Sequence, residues 1–533
     1  MEESKKVSIF AANSSTRYTP IVSIATIKTI ATIKPQKPID MRKLFTMIVA
    51  SLVCVSAMAE IQRPKLVVGL VVDQMRWDYL YYYYDQYGEG GLRRLVDDGY
   101  SFENTMINYV PTVTAIGHTS IYTGTTPALH GICGNDFYIN GKRTYCCGDE
   151  NVKSVGSDSK EGQMSPRNNL ASGIGDVLKI ATDYKAKVIG VALKDRAAIL
   201  PAGHGADAAY WWDGSAGHFV SSTYYMNELP QWVKEMNKKI GVKPGVDIKR
   251  SPEGVIKTFQ MAIAALENEQ MGQDEITDML AISISSTDVI GHAIGTRGPE
   301  NYGVYMELDR QLANFFKVLD EKVGKGNYLL FLSADHGAAH NPNVMKAHNI
   351  PSGGLEMWNK LKVVEETVKA NFGLVGEERV ILGENAGRIF LNRTYITSSG
   401  KKLCEVKQAV IDELKKIDEL IYVVDFEKAL TTTMPKLLRE RIANGYNPAR
   451  SGDIFIVPKA GWENVSDKPD YVGTTHGMWN PYDAHIPFVL YGWHVNHGET
   501  STPTNIVDIA PTICAMLHIQ MPNSCIGNAK EMK

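Results

Sequence analysis

The sequence predicts an α/β protein: an α/β/α sandwich around a mostly parallel, doubly wound sheet, with an inserted cap or subdomain. Three observations predict it. Short, almost unbroken apolar runs recur along the chain, the pattern of strands buried on both faces of a parallel sheet. Helical periodicity fills the intervals, as where Tyr305, Leu308, Leu312, Phe315, Phe316 and Leu319 trace one buried helix face. Several of the runs also stop at charged residues, and open α/β sheets bind ligands beyond the carboxyl ends of their strands.

Composition bounds the function. The 533 residues carry 56 basic and 59 acidic side chains, a formal charge of −3, and the isoelectric point is near 6.5. No global basic field exists to hold nucleic acid as a structural partner. With 44% apolar and 22% charged residues, wholesale disorder and a multi-span membrane protein are both excluded.

Taken in chain order, residues 41–59 form the first element. Met41-Arg42-Lys43, an apolar run from Leu44 to Val55 and Ala57-Met58-Ala59 make a secretory signal peptide, too short to span a bilayer. Residues 1–40, with IATIK at Ile24–Lys28 and again at Ile30–Lys34, read as a mis-called extension, with translation starting at Met41. The mature chain is expected to begin near Glu60, to lie in the periplasm and to carry no transmembrane anchor. Residues 60–533 form one catalytic domain with an insertion around 337–451.

Lys65–Val72 is the first strand and ends at Asp73. Pro111–Ser120 reads as a loop entering a helix, with Thr114 at its start. There, free N–H groups and the positive dipole end favour an anion, and a metal ion would activate the hydroxyl as a nucleophile; Thr112 or Thr114 as a simple N-cap is the alternative. Lys187–Leu193 ends at Lys194-Asp195-Arg196, either a solvated turn or a pair of anion-binding cations. Leu280–Ile284 runs on to Asp288 and, four residues later, His292. Tyr328–Leu332 runs on to Asp335-His336. After the insertion come His476, within Thr474-Thr475-His476-Gly477, and a fifth strand, Ile486–Tyr491. Asp73, Asp288, His292, Asp335, His336 and His476 thus gather nitrogen and carboxylate donors suited to zinc. His118 is expected to pack and hydrogen-bond inside its helix, and His340 and His348 to stay peripheral. Six cysteines follow the signal without a CxxC pair, so a cysteine zinc site is not expected. In an oxidising compartment Cys514–Cys525, and Cys133 with Cys146 or Cys147, are candidate bridges.

Asp73-Gln74-Met75-Arg76-Trp77-Asp78, Pro111–Ser120, Asp288-x-x-x-His292, Ser333-Ala334-Asp335-His336-Gly337 and Thr475-His476-Gly477 resemble, in this order, the alkaline phosphatase superfamily. The similarity is to its phosphodiesterase/nucleotide pyrophosphatase-like branch, and within that to the PafA-type bacterial alkaline phosphatases, whose nucleophile is a threonine. It runs from about Lys65 to the C-terminus. The resemblance implies two zinc ions per chain, one held by Asp288, His292 and His476, the other by Asp73, Asp335, His336 and Thr114. It implies that Asn135, in Gly134-Asn135-Asp136, holds a phosphoryl oxygen, and that Lys194 and Arg196 are the two cations of the monoesterase. The expected activity is hydrolysis of small-molecule phosphate monoesters through a phosphothreonine. The alternatives are a phosphodiesterase on the same scaffold and a non-catalytic exported metal- or phosphate-binding protein. A sulfatase is excluded, because Thr114-Ala115-Ile116-Gly117 offers no Cys or Ser before x-Pro-x-Arg.

Overall fold

Seven consecutive apolar residues, Leu66–Val72 (β1), are all buried, which requires cover on both faces and neighbours on both edges. The computed structural model, which describes residues 62–532, supplies both. The expected extension and signal peptide lie outside the described residues.

Nine further strands join β1 in one sheet: Tyr100–Phe102 (β2), Ser154–Val155 (β3), Val188–Ala192 (β4), Ala208–Asp213 (β5), His218–Ser222 (β6), Asp278–Ile284 (β7), Tyr328–Ser333 (β8), Phe488–Gly492 (β9) and Gly498–Thr500 (β10), in the order β10-β2-β9-β8-β1-β7-β4-β5-β6-β3. The middle of the sheet, β8-β1-β7-β4-β5, is parallel throughout. Leu66 lies level with Asp278 on one side and Tyr328 on the other, so β1, β7 and β8 end at nearly the same height. Their carboxyl ends form one ledge.

One sequence expectation is corrected here. The fifth apolar run belongs to β9, which pairs antiparallel with β8. Continuous burial alone cannot tell the direction of a strand, because either orientation can be covered on both faces.

Helices cover both faces of the sheet. Thr114–Thr123 (α1) packs against Asp195–Ala202 (α2) and Ile174–Ala181, while Glu253–Asn268 packs against Pro299–Leu319 and Ser286–Ile294 (α3) joins that layer. No helix among the described residues is long and apolar enough to cross a membrane. Between β8 and β9 the chain builds a second, four-stranded sheet, in the order Ile381–Asn385, Arg388–Leu391, Ile454–Pro458, Leu420–Asp425. It has its own apolar core, in which Leu361, Val364 and Val368 of one helix meet Val410, Ile389 and Ile454.

The candidate disulfides are also corrected: all six described cysteines are free thiols. Cys133, Cys146 and Cys147 pack in one buried apolar cluster, where the Cys133 thiol donates weakly to the Pro127 and Gly131 carbonyls. The Cys525 thiol turns to the Gly527 carbonyl. Buried cysteine of this kind behaves as a small apolar residue.

Candidate active site

The ledge at the ends of β1, β7 and β8 carries the carboxylates. The Asp73 amide donates to the Ile284 carbonyl at 3.1 Å, which closes β1 onto the end of β7. Asp288 sits in the first turn of α3 and His292 in its last turn, so the i,i+4 spacing puts both on one face, with His292 Nε2 3.2 Å from Asp288 Oδ1. Asp335 and His336 follow β8 directly. His476 arrives from the loop after the second sheet, with Nε2 3.2 Å from that of His292 and its ring stacked on His336 at 3.5 Å between centroids. All six expected ligand residues therefore converge, although they are scattered over some 400 residues of chain.

Their geometry suits cations. Donor atoms of Asp73, Asp335 and His336 lie within 4.8 Å of one another, as do those of Asp288, His336 and His476. Asp73 Oδ1 and Asp335 Oδ2 are buried without a hydrogen-bond partner, and buried carboxylate oxygens left in that state call for positive charge. The three imidazoles are oriented alike. His292 Nδ1 meets the Thr474 carbonyl at 2.9 Å, His336 Nδ1 the Gly337 carbonyl at 2.9 Å and His476 Nδ1 the Thr112 carbonyl at 2.7 Å. A carbonyl only accepts, so each Nδ1 carries the proton and each Nε2 presents its lone pair to the cluster. Burial lowers the His336 pKa, and burial together with His336 and His292 holds His476 far below the usual value, so both rings are neutral and able to ligate. Nitrogen and carboxylate donors in this arrangement fit zinc or a similar divalent ion.

Charge is balanced by Lys194. Its ammonium lies 2.6 Å from Asp73 Oδ2 and 2.5 Å from Asp288 Oδ2. Burial raises the Asp73 carboxyl well above the ordinary range, helped by Asp288 and Asp335. Burial pushes Asp288 the same way, but Lys194 and then His292 outweigh it and hold that carboxyl low. The Lys-Asp-Arg segment is accordingly no solvated turn. Lys194 stands at the N-cap position of α2 with its side chain turned into the site rather than onto the helix, and Arg196 is placed by Tyr145, whose hydroxyl accepts from Nη1 at 3.0 Å and donates to Asp195 at 2.7 Å.

Thr114 is the first residue of α1, and the N-cap position before it is taken by Val113; the Thr112 hydroxyl is turned to the Met478 carbonyl at 3.0 Å. The N-cap alternative is thereby set aside. Thr114 Oγ1 instead lies 3.5 Å from His336 Nε2, facing the ligand cluster. Gly117 permits this approach, because a Cβ there would collide with the Asp335 backbone. Asn135 stands beside Thr114, its Oδ1 accepting the Ala115 amide at 3.0 Å, one of the orphan donors at the start of α1.

Three supporting residues are not legible as site residues in the sequence. Gln74 donates its amide nitrogen to Asp288 Oδ1 at 2.7 Å and its backbone N–H to Asp335 Oδ1 at 3.1 Å, from a left-handed conformation at φ 64°. His118 packs and hydrogen-bonds inside its helix as expected, Nδ1 donating to the Thr114 carbonyl at 2.9 Å, while Nε2 meets Ser283 at 2.7 Å and the ring lies 3.3 Å from Asp335 Oδ2. Tyr145 places Arg196. Gln74 and His118 lie inside the motifs Asp73–Asp78 and Pro111–Ser120, whereas Tyr145 carries no such signal. His340 and His348 pair with Thr296 and Val344, away from the cluster.

Comparison with known proteins agrees with this geometry. Residues 67–479 match the family model described as type I phosphodiesterase / nucleotide pyrophosphatase. The chain is 43% identical over 519 residues to the alkaline phosphatase PafA of Elizabethkingia meningoseptica, covering 88% of this chain and 94% of that one. It is 44% identical over 526 residues, covering 89% and 95%, to a Myroides odoratus protein named calcium-transporting ATPase. The crystal structure of wild-type PafA superposes with a TM-score of 0.83 at 43% identity, covering 88% of this chain and 99% of that one. With most of its length matched by the family model, and with the fold and ligand cluster described above, the chain belongs to the type I phosphodiesterase / nucleotide pyrophosphatase family, in its PafA-like alkaline phosphatase branch.

Proposed function

We propose that this protein is an exported, zinc-dependent phosphate monoester hydrolase that works through a phosphothreonine at Thr114. The observation that carries the reading is the placement of Thr114: its hydroxyl stands in the first turn of a helix, 3.5 Å from His336 Nε2, beside two groups of cation ligands and the buried ammonium of Lys194.

Asp73, Asp335, His336 and Thr114 would hold one zinc ion, and Asp288, His292 and His476 the other. When bound, the pair supplies Lewis-acid charge to the attacking and the leaving oxygen of an in-line displacement. The chain's own groups do the rest. Thr114 Oγ1 attacks phosphorus, the bond to the leaving alkoxide breaks, and water then cleaves the phosphothreonine to release inorganic phosphate. The amides at the start of α1 and the Asn135 side chain steady the oxygens of the transferring group. Lys194 and Arg196 pair with the second negative charge that distinguishes a monoester from a diester. Gln74 keeps the Asp335 and Asp288 carboxylates aimed. Small-molecule phosphate monoesters are the substrates, and Met41–Ala59 directs export to the periplasm.

Hydrolysis of an aryl phosphate monoester, compared with the matched diester on chelated and zinc-reconstituted protein, tests this. A higher kcat/KM on the monoester, abolished by chelation and restored by zinc, is expected. Activity undiminished by metal removal would overturn the mechanism. The second reading, a phosphodiesterase, is favoured by the description of the family model, and a diester preference in the same assay would establish it. N-terminal sequencing of secreted protein should find a start near Glu60; a product retaining residues 1–40 would refute the export signal.

A further inference from the structure

Arg388 opens a strand of the second sheet and is wholly buried, yet its four hydrogen bonds all go to neutral oxygens. Nε donates to the Asn385 carbonyl at 3.1 Å and Nη2 to the Asn385 side-chain oxygen at 2.6 Å. The fork also crosses into the catalytic domain, where Nη1 donates to the Cys133 carbonyl and Nη2 to the Asp136 carbonyl at 3.3 Å. Gly134 passes directly beneath it, so close that a Cβ would overlap the guanidinium. Burial lowers the Arg388 pKa to about 10, so it remains a cation at neutral pH. Glu384 and Asp136 act on it through space, but a buried cation with no hydrogen-bonded carboxylate is costly, and apolar packing often gives a more stable core. Core stability alone therefore does not account for an arginine at this position.

The two carbonyls it grips stand on either side of Asn135. The Asn135 oxygen is already committed to the Ala115 amide, which leaves its Nδ2 as the group able to donate to a phosphoryl oxygen. We infer that Arg388 is a positioning residue for phosphoryl binding, fixing the backbone that carries Asn135 so that this amide is held beside Thr114. The inference rests on the proposed role of Asn135.

A double-mutant cycle on the full-length, zinc-loaded protein tests it, using kcat/KM for 4-nitrophenyl phosphate and competitive inhibition by inorganic phosphate. Arg388→Gln is expected to lower kcat/KM by about 10- to 100-fold, the scale of a displacement near 1 Å at a reacting group, and to weaken inhibition by phosphate. In the Asn135→Ala background the same substitution should cost less than about threefold, since the group it positions is gone. Equal losses in both backgrounds would overturn the inference and leave Arg388 a part of the fold only. If Asn135→Ala alone leaves turnover and phosphate inhibition at wild-type values, the assigned role of Asn135 fails and takes this inference with it. Should Arg388→Gln not fold, Arg388→Lys keeps the charge but cannot span both carbonyls. A smaller loss with the same dependence on background supports the inference, and a loss independent of background refutes it.

Discussion

The carboxyl edge of the central sheet and the inner face of the inserted subdomain reach the active site by different means. The sheet edge brings side chains: Asp73, Asp288, Asp335 and His336 stand at or just beyond strand ends, and Lys194 follows β4. The insertion contributes none of the candidate ligands among the described residues. It grips main chain instead, through Arg388 at residues 133 and 136, Asn444 at the Asn108 carbonyl at 2.7 Å, and Arg450 at the Gly131 carbonyl at 2.7 Å. The difference follows from what each region has to fix. Strand ends are held by the ladder that precedes them, whereas the loop leading to Thr114 has no ladder and Asn135 stands at the open end of a two-stranded hairpin, its carbonyl accepting the Cys146 amide at 2.9 Å, so both gain from an outside hold.

If that division is right, substitutions at the sheet edge remove chemistry and substitutions in the insertion blur it. Thr114→Ala should have the largest effect: a loss of at least about a thousandfold in kcat, the scale seen when a nucleophile is removed, with no trapped phosphothreonine and an unchanged Tm. A phosphoenzyme labelled at another residue would break the scheme. Next, Lys194→Ala combined with Arg196→Ala should lower monoester kcat/KM by about two to four orders of magnitude, at roughly 1.5–3 kcal/mol per charged hydrogen bond, and cost a diester much less. Equal proportional losses would show that these cations serve the metals or the fold.

On the other side of the comparison, Asn444→Ala removes a single clasp. It should cost about 1 kcal/mol of stability and less than about tenfold in kcat/KM, read from denaturant unfolding and steady-state rates. A loss as large as that of Thr114→Ala would erase the distinction between the regions.

The smallest effect on turnover is expected where the regions meet. Asp483 accepts the Met478 and Gly477 amides at 2.8 and 3.2 Å and interacts electrostatically with Glu463, which follows the last strand of the second sheet. Burial pushes Asp483 up to about 8. The folded state therefore keeps a proton that the unfolded chain gives up near pH 4, so stability is full below that value and falls as pH rises towards 8. Asp483→Asn, which retains an acceptor oxygen, should match wild type near pH 4 and exceed it by roughly 5 kcal/mol at pH 9, at about 1.4 kcal/mol for each unit of the shift, with kcat at pH 7 unchanged within about twofold. A difference that does not vary with pH would show that Asp483 is already ionised in the fold.

Much of the sheet edge could be read from sequence, because a buried parallel strand announces itself as an apolar run and the charge that ends it stands out. Asp73, Asp288, Asp335 and the Lys194–Arg196 pair all show in this way, and the four strands before them lie where expected. The direction of β9 does not show, since burial has no polarity. Tyr145 is invisible for another reason: its role depends on Arg196, which lies far off in sequence, and nothing local marks the pairing. Arg388 is harder still. Its partners beside Asn135 are peptide carbonyls, which every residue possesses, so the receiving end of that contact leaves no trace in residue type. The cysteines show the converse, since their number and spacing suggest bridges while their packing uses them as apolar filler.

The orientation of the three imidazoles has a bearing on how this site could be altered. Each is set by a main-chain oxygen, of Thr474, Gly337 or Thr112, and no side-chain replacement deletes a main-chain oxygen. Where a carboxylate orients a histidine, one codon change can retune the ligand's basicity; here that route is closed. Redesign of ion preference would have to exchange the ligands themselves or reshape the loops, while drift at positions 112 and 474 can proceed without changing which ring nitrogen faces the ion.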